Sequence, residues 1–261
     1  MKFKLPRISF KLNLPGWLKT VASLVFLLTL ISFVEKRQSD KRVKKVLINI
    51  DHEGDNYFVE EEDVMDLMTG DGSSLIVDKK YAHLDLKQME KKIKSFKFVS
   101  DAQVSKDHKG NLKVFVKQRR PIARLIPSSG AHVYVGSDGT TLSTSEKFTS
   151  RVVIVDGGFC SRLASETYLA SEEGKPYLEF LRYLDEHKFW KVQISQISTN
   201  SKGELTLYPQ LGKQYIEFGK PENLDDKFIR LSLFYKKIIP AKGWSTYERV
   251  DLRFKDQIIC E

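Results

Sequence analysis

The residues of this chain best placed by type and spacing to do chemistry are the acids of Asp51-His-Glu53-Gly-Asp55-Asn-Tyr-Phe58-Val-Glu-Glu-Glu62. They fall at positions 1, 3, 5 and 12 of a calcium-loop template, with an apolar residue at 8. Context argues against calcium. Asn56 stands where the sharp turn needs glycine, Glu53 holds the third position, and Val46–Ile50 ahead of the loop reads as a strand instead of a helix. The expectation is an acidic loop between strand and helix. Histidines 52, 83, 108, 132 and 187 share no H-x-x-x-H spacing, and no G-x-S-x-G elbow is present. Gly136-Ser-Asp-Gly139 reads as a turn, and Gly212-Lys213 lacks the first glycine and the Ser/Thr of a phosphate loop. Cys160 and Cys260 lie far apart with no zinc-type spacing; they are read as two small buried hydrophobes, or as a pair in an oxidising compartment. No catalytic, metal or cofactor residue is expected. What remains is surface.

Where the charge sits narrows the partners. Residues 1–45 hold eleven Lys/Arg against two acids, Glu35 and Asp40, and residues 46–261 hold 32 cations against 32 acids. The whole +9 therefore belongs to one end, beside an apolar run, which suits anionic lipid better than nucleic-acid phosphate. From Trp17 to Val34 the sequence WLKTVASLVFLLTLISFV carries a single charge, Lys19, at its edge. As a helix it spans about 27 Å, close to the hydrocarbon core. Trp17 would sit at the headgroup level and Lys19 would snorkel to it. The run leaves through Ser32-Phe33-Val34-Glu35, without the small residues of a cleavage site, and its basic flank disfavours a buried core helix. An uncleaved single-pass anchor is expected. Four basic residues precede it, Lys19 stands at its edge, and six follow within a dozen positions, so charge leaves the orientation open.

Beyond a charged linker the pattern predicts a small α+β unit. Val46–Ile50 reads as a strand. Glu60–Asp63 precedes Val64, Leu67 and Met68 at helical spacing, with acids on the first turn. A second helix has Asp85 as cap, Gln88 three positions on, and a stripe of Leu86, Met89, Ile93 and Phe96. Ala102 and Val104 lead to the turn Asp107–Asn111 and the alternating Leu112, Val114 and Val116. Strand-helix-helix-strand-strand predicts helices on one face of a three-stranded sheet. From Arg124 short strands and turns take over. HVYV precedes Ser137-Asp138-Gly139, RVVIV precedes Asp156-Gly157-Gly158, and LTLY faces YIEF across Pro209–Gln214. Two helices interrupt them. One opens at Pro176, with Tyr177, Phe180, Leu181 and Leu184 on a face; the other runs from Asn223 to Pro240, with Leu224, Phe228, Leu231, Tyr235 and Ile238. The latter stripe suits packing on the sheet, or a coiled-coil partner. Val250, Leu252 and Phe254 alternate before a Lys255-Asp256 turn and Gln257–Cys260.

In this order the features resemble the bacterial cell-division proteins called FtsQ or DivIB. The resemblance rests on Phe98-Val-Ser-Asp-Ala-Gln-Val104, Gly110-Asn-Leu-Lys-Val-Phe-Val116 and Arg120-Pro121-Ile122-Ala123 in the first unit. In the second it rests on Tyr134-Val135 before Asp138-Gly139, Val152 to Gly157, Gly203–Leu207, Phe218-Gly219, Leu224–Leu231 around Lys227, and Val250-Asp251-Leu252-Arg253-Phe254. It implies a membrane-anchored α+β chain: basic cytoplasmic tail 1–16, transmembrane helix 17–34, linker 35–44, POTRA-like domain 45–123 and FtsQ-type β domain 124–261. It also implies the orientation, with the tail in the cytoplasm and the domains outside, at the division septum.

The function implied is a non-enzymatic scaffold that recruits division proteins. The nearest are small coiled-coil membrane proteins of the FtsB/DivIC and FtsL kinds, and septal cell-wall synthesis proteins are further candidates. No nucleic acid, small-molecule substrate or cofactor is implied. The partner is expected to add a strand to the last exposed edge of the β domain. Arg253 and Phe254 stand where the family's binding motif has a basic and an aromatic residue. Phe254 lacks the usual tyrosine hydroxyl, and the aromatic that some members carry beyond that strand has no counterpart before Glu261. By alternation Phe254 could equally face the core, with Arg253 pointing the other way, and Arg120-Pro121 could simply be a strand exit. Two rival functions differ in class: a POTRA-bearing protein of outer-membrane assembly or secretion, for which copies and barrel are missing, and a membrane-tethered cell-wall hydrolase.

Overall fold

A computed structural model describes residues 15–39, 41–52, 56–70 and 75–261. Residues 1–14 of the basic tail, and Glu53 and Asp55 of the acidic loop, lie outside the described residues. The first element is helix α1, Gly16–Ser39. Its apolar side chains from Val21 to Ile31, Leu24 and Phe26 among them, are exposed. Among the described residues no helix is long and apolar enough to cross a membrane. Trp17 is exposed in the first turn of α1, and the side chains of Lys19 and Val34 lie outside the described ones.

The first unit follows its periodicities. Strand β1 (Val46–Asp51) leads to α2 (Glu61–Thr69), α3 (Leu86–Lys94), β2 (Val99–Lys106) and β3 (Leu112–Gln118). The sheet order is β1-β3-β2, with β1 parallel and β2 antiparallel to β3. Both helix starts are capped. Glu60 and Asp63 satisfy each other's backbone N–H at α2, and the Asp85 carboxylate accepts from Gln88 N at 2.9 Å before α3. Val64, Met68 and Ile93 from the helices meet Leu112, Val114 and Val116 from β3, all buried. Gln118 ends that alternation on the same buried face, and its Oε1 accepts from Phe58 N and Val59 N at 3.0 and 3.1 Å.

The second sheet begins earlier than the sequence suggests. Pro121–Leu125 is not a strand exit but strand β4, placed between two neighbours. Proline is tolerated there because it is the first residue of the strand. Strands β5 (Val133–Gly136), β6 (Thr141–Ser143), β7 (Val153–Gly157), β8 (Ile194–Thr199), β9 (Leu205–Pro209), β10 (Tyr215–Gly219), β11 (Arg249–Asp251) and β12 (Ile259–Cys260) complete it. The order is β12-β11-β10-β9-β8-β7-β4-β5-β6. The expected β9–β10 hairpin forms, with Ile216 opposite Leu207.

Helices α4 (Cys160–Leu163), α5 (Glu166–Leu169), α6 (Lys175–Glu186), α7 (Lys188–Gln193), α8 (Leu224–Leu233) and α9 (Ile239–Lys242) belong to this unit. The expected Asn223–Pro240 helix is α8, a π-helical turn over Phe234–Ile238, then α9. Pro240 offers no N–H and crowds the preceding turn, so a widened turn takes up the misfit. Phe180, Trp190, Phe218 and Phe228 stack against one another beneath the sheet, with Phe218 and Phe228 rings 5.2 Å apart.

The two units share a sealed contact. Tyr134 of β5 and Leu142 of β6 are buried in the first unit's core, and Phe58 meets Tyr134 edge-on at 5.7 Å and Phe148 at 5.0 Å. Around this, Ser150 Oγ donates to Asn56 Oδ1 at 2.7 Å, and Lys147 pairs with Asp63 at 2.8 Å. Arg119 pairs with Asp138 across the junction. Phe58→Ala is therefore expected to cost about 3–5 kcal/mol, as a large buried aromatic does. Denaturant unfolding should show it, with both units loosened together in hydrogen exchange.

Candidate functional site at the carboxyl-terminal sheet edge

Strand β11 pairs parallel to β10, with Ile216 opposite Val250 and Glu217 opposite Asp251. Strand β12 folds back antiparallel on β11, with Val250 opposite Cys260 and Asp251 opposite Ile259. The strand expected to run through Phe254 thus stops at Asp251, because Val250 and Leu252 fill the core and the chain then turns. Arg253 and Phe254 stand in that turn and not on the sheet edge. Phe254 is 47% exposed, so of its two readings the outward one holds.

The outermost backbone belongs to β12. Arg249 and Glu261 exchange both N–H···O bonds, at 3.0 and 3.1 Å. In an antiparallel ladder such pairs alternate, so the Val250–Cys260 pair is the non-bonded kind. The N–H and C=O of Cys260 therefore point away from the sheet.

On the solvent face the charges interlock. Asp251, 1% exposed, accepts from Arg253 at 2.6 Å and Arg249 at 3.0 Å; Glu217 takes the same two guanidiniums at 2.5 and 3.0 Å. Glu261 adds a bond to Arg249 at 2.8 Å. Burial pushes the Asp251 carboxyl up, but hydrogen bonds from the Arg253 side chain and backbone and the charges of Arg253 and Arg249 outweigh it and hold it below the usual range. Arg253 is raised, chiefly by its bond to Asp251. Its stem crosses Gly219, which has φ +74° and where a Cβ would come within 2.9 Å of Arg253 Cγ. A side chain at 219 would push Arg253 off its carboxylates.

Beneath the turn lie two buried cations of α8 that no periodicity singled out as functional. Arg230 donates to Phe254 O at 2.8 Å, Gln257 O at 2.5 Å and Leu252 O at 3.3 Å, and pairs with Asp226 at 2.8 Å. Lys227 donates to Phe218 O and Lys220 O, both at 2.8 Å, and desolvation lowers its pKa. Lys227 and Arg230 fall three apart, a helical interval on the buried side, where a charge costs energy unless carbonyls receive it. That was the available signal.

Elsewhere several chemically able side chains are already engaged. A cleft of about 220 Å³ between α6, α7 and the starts of β7 and β8 contains Asp185, whose carboxylate is taken by Arg120 and Lys191. Ser195 there donates to Tyr208 O at 3.1 Å and meets no base. His52 is bonded by Gln118 at 2.7 Å. Among the described residues no group of three His, Cys, Asp or Glu is arranged to hold a metal. Cys160 and Cys260 are both free. Burial pushes the Cys160 thiol up to about 11, and the β7 and β12 strands beside the two cysteines are five spacings, roughly 24 Å, apart.

Comparison with protein families decides the identity. Residues 120–261, more than half the chain, match the family described as FtsQ/DivIB, C-terminal related, and residues 41–117 match the POTRA-like domain. The chain belongs to the FtsQ/DivIB family. A search of curated proteins finds no match. In this FtsQ/DivIB chain the family segment includes both the interlocked carboxyl-terminal edge and the helix that braces it.

Asp251 gives the edge a pH signature. Its folded carboxyl titrates below its unfolded value, so its stabilisation is whole above that unfolded value and is lost as pH falls through the folded one. Hydrogen-exchange protection of residues 249–261, taken relative to intrinsic rates, should fall below about pH 4. Asp251→Asn should cost about 1–3 kcal/mol at neutral pH and flatten the acid dependence.

Proposed function

We propose that this FtsQ/DivIB protein is a non-enzymatic cell-division scaffold, tethered by residues 17–34 to the cytoplasmic membrane, whose β domain captures other division proteins by accepting a strand on β12. Family membership supports the division role. The observation that carries the mechanism is the outward-pointing backbone of Cys260 on a terminal strand of two residues. An added strand supplies main-chain hydrogen bonds there, and the alternate side chains, with Arg253 and the exposed Phe254 beside them, supply selectivity. The partners fitting this role are membrane division proteins of the FtsB/DivIC and FtsL kinds, met outside the cytoplasm at the septum. The POTRA-like unit spaces the β domain from the linker.

Backbone pairing makes a sharp test possible. Cys260→Pro removes an outward N–H together with the partly buried thiol, and none of the bonds between β11 and β12 uses that N–H. It should lower partner capture by about tenfold or more, the loss of one good hydrogen bond to a preformed edge. Cys260→Val should bind normally, and thermal unfolding should show both variants folded. Equal capture by Cys260→Pro would overturn strand addition. A photoreactive residue at Phe254 should crosslink to the captured partner in cells.

The apolar run 17–34 supports the tether, as do the exposed apolar side chains of α1. The full chain is expected to stay in the membrane pellet after washing with alkaline carbonate. Release into the supernatant would remove the tether from the proposal.

A further inference from the structure

Three separated segments of the β domain converge on one end of its sheet. Strands β4, β7, β8, β10 and β11 all run in the same direction. Helix α7 immediately precedes β8, the β9–β10 loop precedes β10, and Trp244 precedes β11. All three therefore lie at the end where β4 arrives from the first unit. Gln210 N donates to Gln193 O at 2.6 Å, which ties the β9–β10 loop carrying Leu211 to the end of α7. The Tyr235 ring joins the others, 5.9 Å from Phe189 and 6.1 Å from Trp244.

The result is a cluster of large apolar side chains turned to solvent. Phe189, Val192, Leu211 and Trp244 are between 47% and 73% exposed, and Phe189 and Val192 flank the buried Trp190 and Gln193. A contiguous patch of this kind marks a contact surface. Lysines flank it, while the acids at this end, Glu248 and Glu261, lie at the β11–β12 edge. Lys188 shares α7 with Phe189 and Val192, Lys213 follows Leu211 by two positions, and Lys242 precedes Trp244 by two. All three lysines are exposed and have no acidic partner among the described residues.

We infer that this end of the β domain docks on an anionic lipid surface. The side chains project from one short helix, a loop and a turn, and protruding tips suit a deformable interface better than a partner helix that needs a groove. Tryptophan and phenylalanine favour the headgroup boundary, and unpaired lysines favour anionic lipid. The membrane is within reach on the tethered reading, on which this inference rests. Strand β3 stands about 23 Å tall between linker and β domain, and β8 to β11 lie roughly 10–24 Å to the side of β4. Leaning of the molecule over its charged linker brings the patch to the bilayer. A docked β domain holds the β12 edge at a fixed height, where a membrane-anchored partner presents its strand.

The test uses full-length protein carrying Trp17→Phe in lipid nanodiscs of phosphatidylcholine, with and without phosphatidylglycerol, made with brominated acyl chains. Trp190 is buried and shielded from the bromines, so quenching reports Trp244, and Trp17→Phe/Trp244→Ala supplies the background. Quenching above background in the anionic discs, lost at high salt, is the expected result. Each lysine contributes roughly fivefold to the contact equilibrium, so Lys188→Gln/Lys213→Gln/Lys242→Gln should weaken it about a hundredfold. Co-elution with the discs reports the tether separately; a chain that fails to co-elute is read for quenching with brominated anionic vesicles added. Emission at background, quenching indifferent to phosphatidylglycerol, or Trp244 emission that instead follows protein concentration, as a second copy would cause, would each overturn the lipid assignment.

Discussion

A terminal strand of two residues cannot hold itself on a sheet, and the carboxyl-terminal edge of this protein persists because Arg230 reaches it from below. One guanidinium donates to the carbonyls of Leu252, Phe254 and Gln257, so the turn between β11 and β12 is closed by bonds from a charged group, each contributing about 1.5–3 kcal/mol. Lys227, one turn earlier, does the same for Phe218 and Lys220 at the end of β10. Both cations are buried, and burial is tolerable only because the carbonyls are there. Helix and edge therefore require each other: without the turn the cations are stranded, and without the cations the turn opens.

Above this brace the solvent face of the edge is set by electrostatics. Asp251 is almost fully covered, and two arginines shared with Glu217 compensate its charge. Such a network does little for stability by itself, because desolvation consumes much of the attraction. Its effect is positional. Arg253 is fixed across Gly219, and Phe254 is turned outward beside the free side of β12. At the opposite end of the sheet, Tyr134 and Leu142 close the first unit's core, so the chain from Val43 to Glu261 forms two connected bodies with a buried apolar contact between them.

Elements with strong local signals were legible in the sequence. The POTRA-like order follows from period-two alternation in β3, acids at the start of α2 and the Asp85 cap, each a property of a few neighbouring residues. The β9–β10 hairpin and the face of α6 followed in the same way. Missed were β6 and β8 and the helices α4, α5 and α7, all of six residues or fewer, for which periodicity has no length to accumulate. Pro121 misled because proline looks like an ending, whereas as a first residue it begins a strand. The strand through Phe254 was read too long, since alternation of Val250, Leu252 and Phe254 says nothing about the turn that Arg230 imposes.

The sequence by itself determined what is local or additive: the apolar run 17–34, the concentration of all net charge in the first 45 residues, the caps and stripes of the longer helices, and the ordered motifs that resemble FtsQ and DivIB. Only the tertiary structure decided which backbone is outermost, because strand order depends on pairings between residues far apart in the chain. It placed β12 outside β11, brought Glu217 to Asp251 and Arg253, and gathered Phe189, Leu211 and Trp244 at one end of the sheet. Contacts of that kind arise when a core is enclosed, and no window of neighbouring residues contains them.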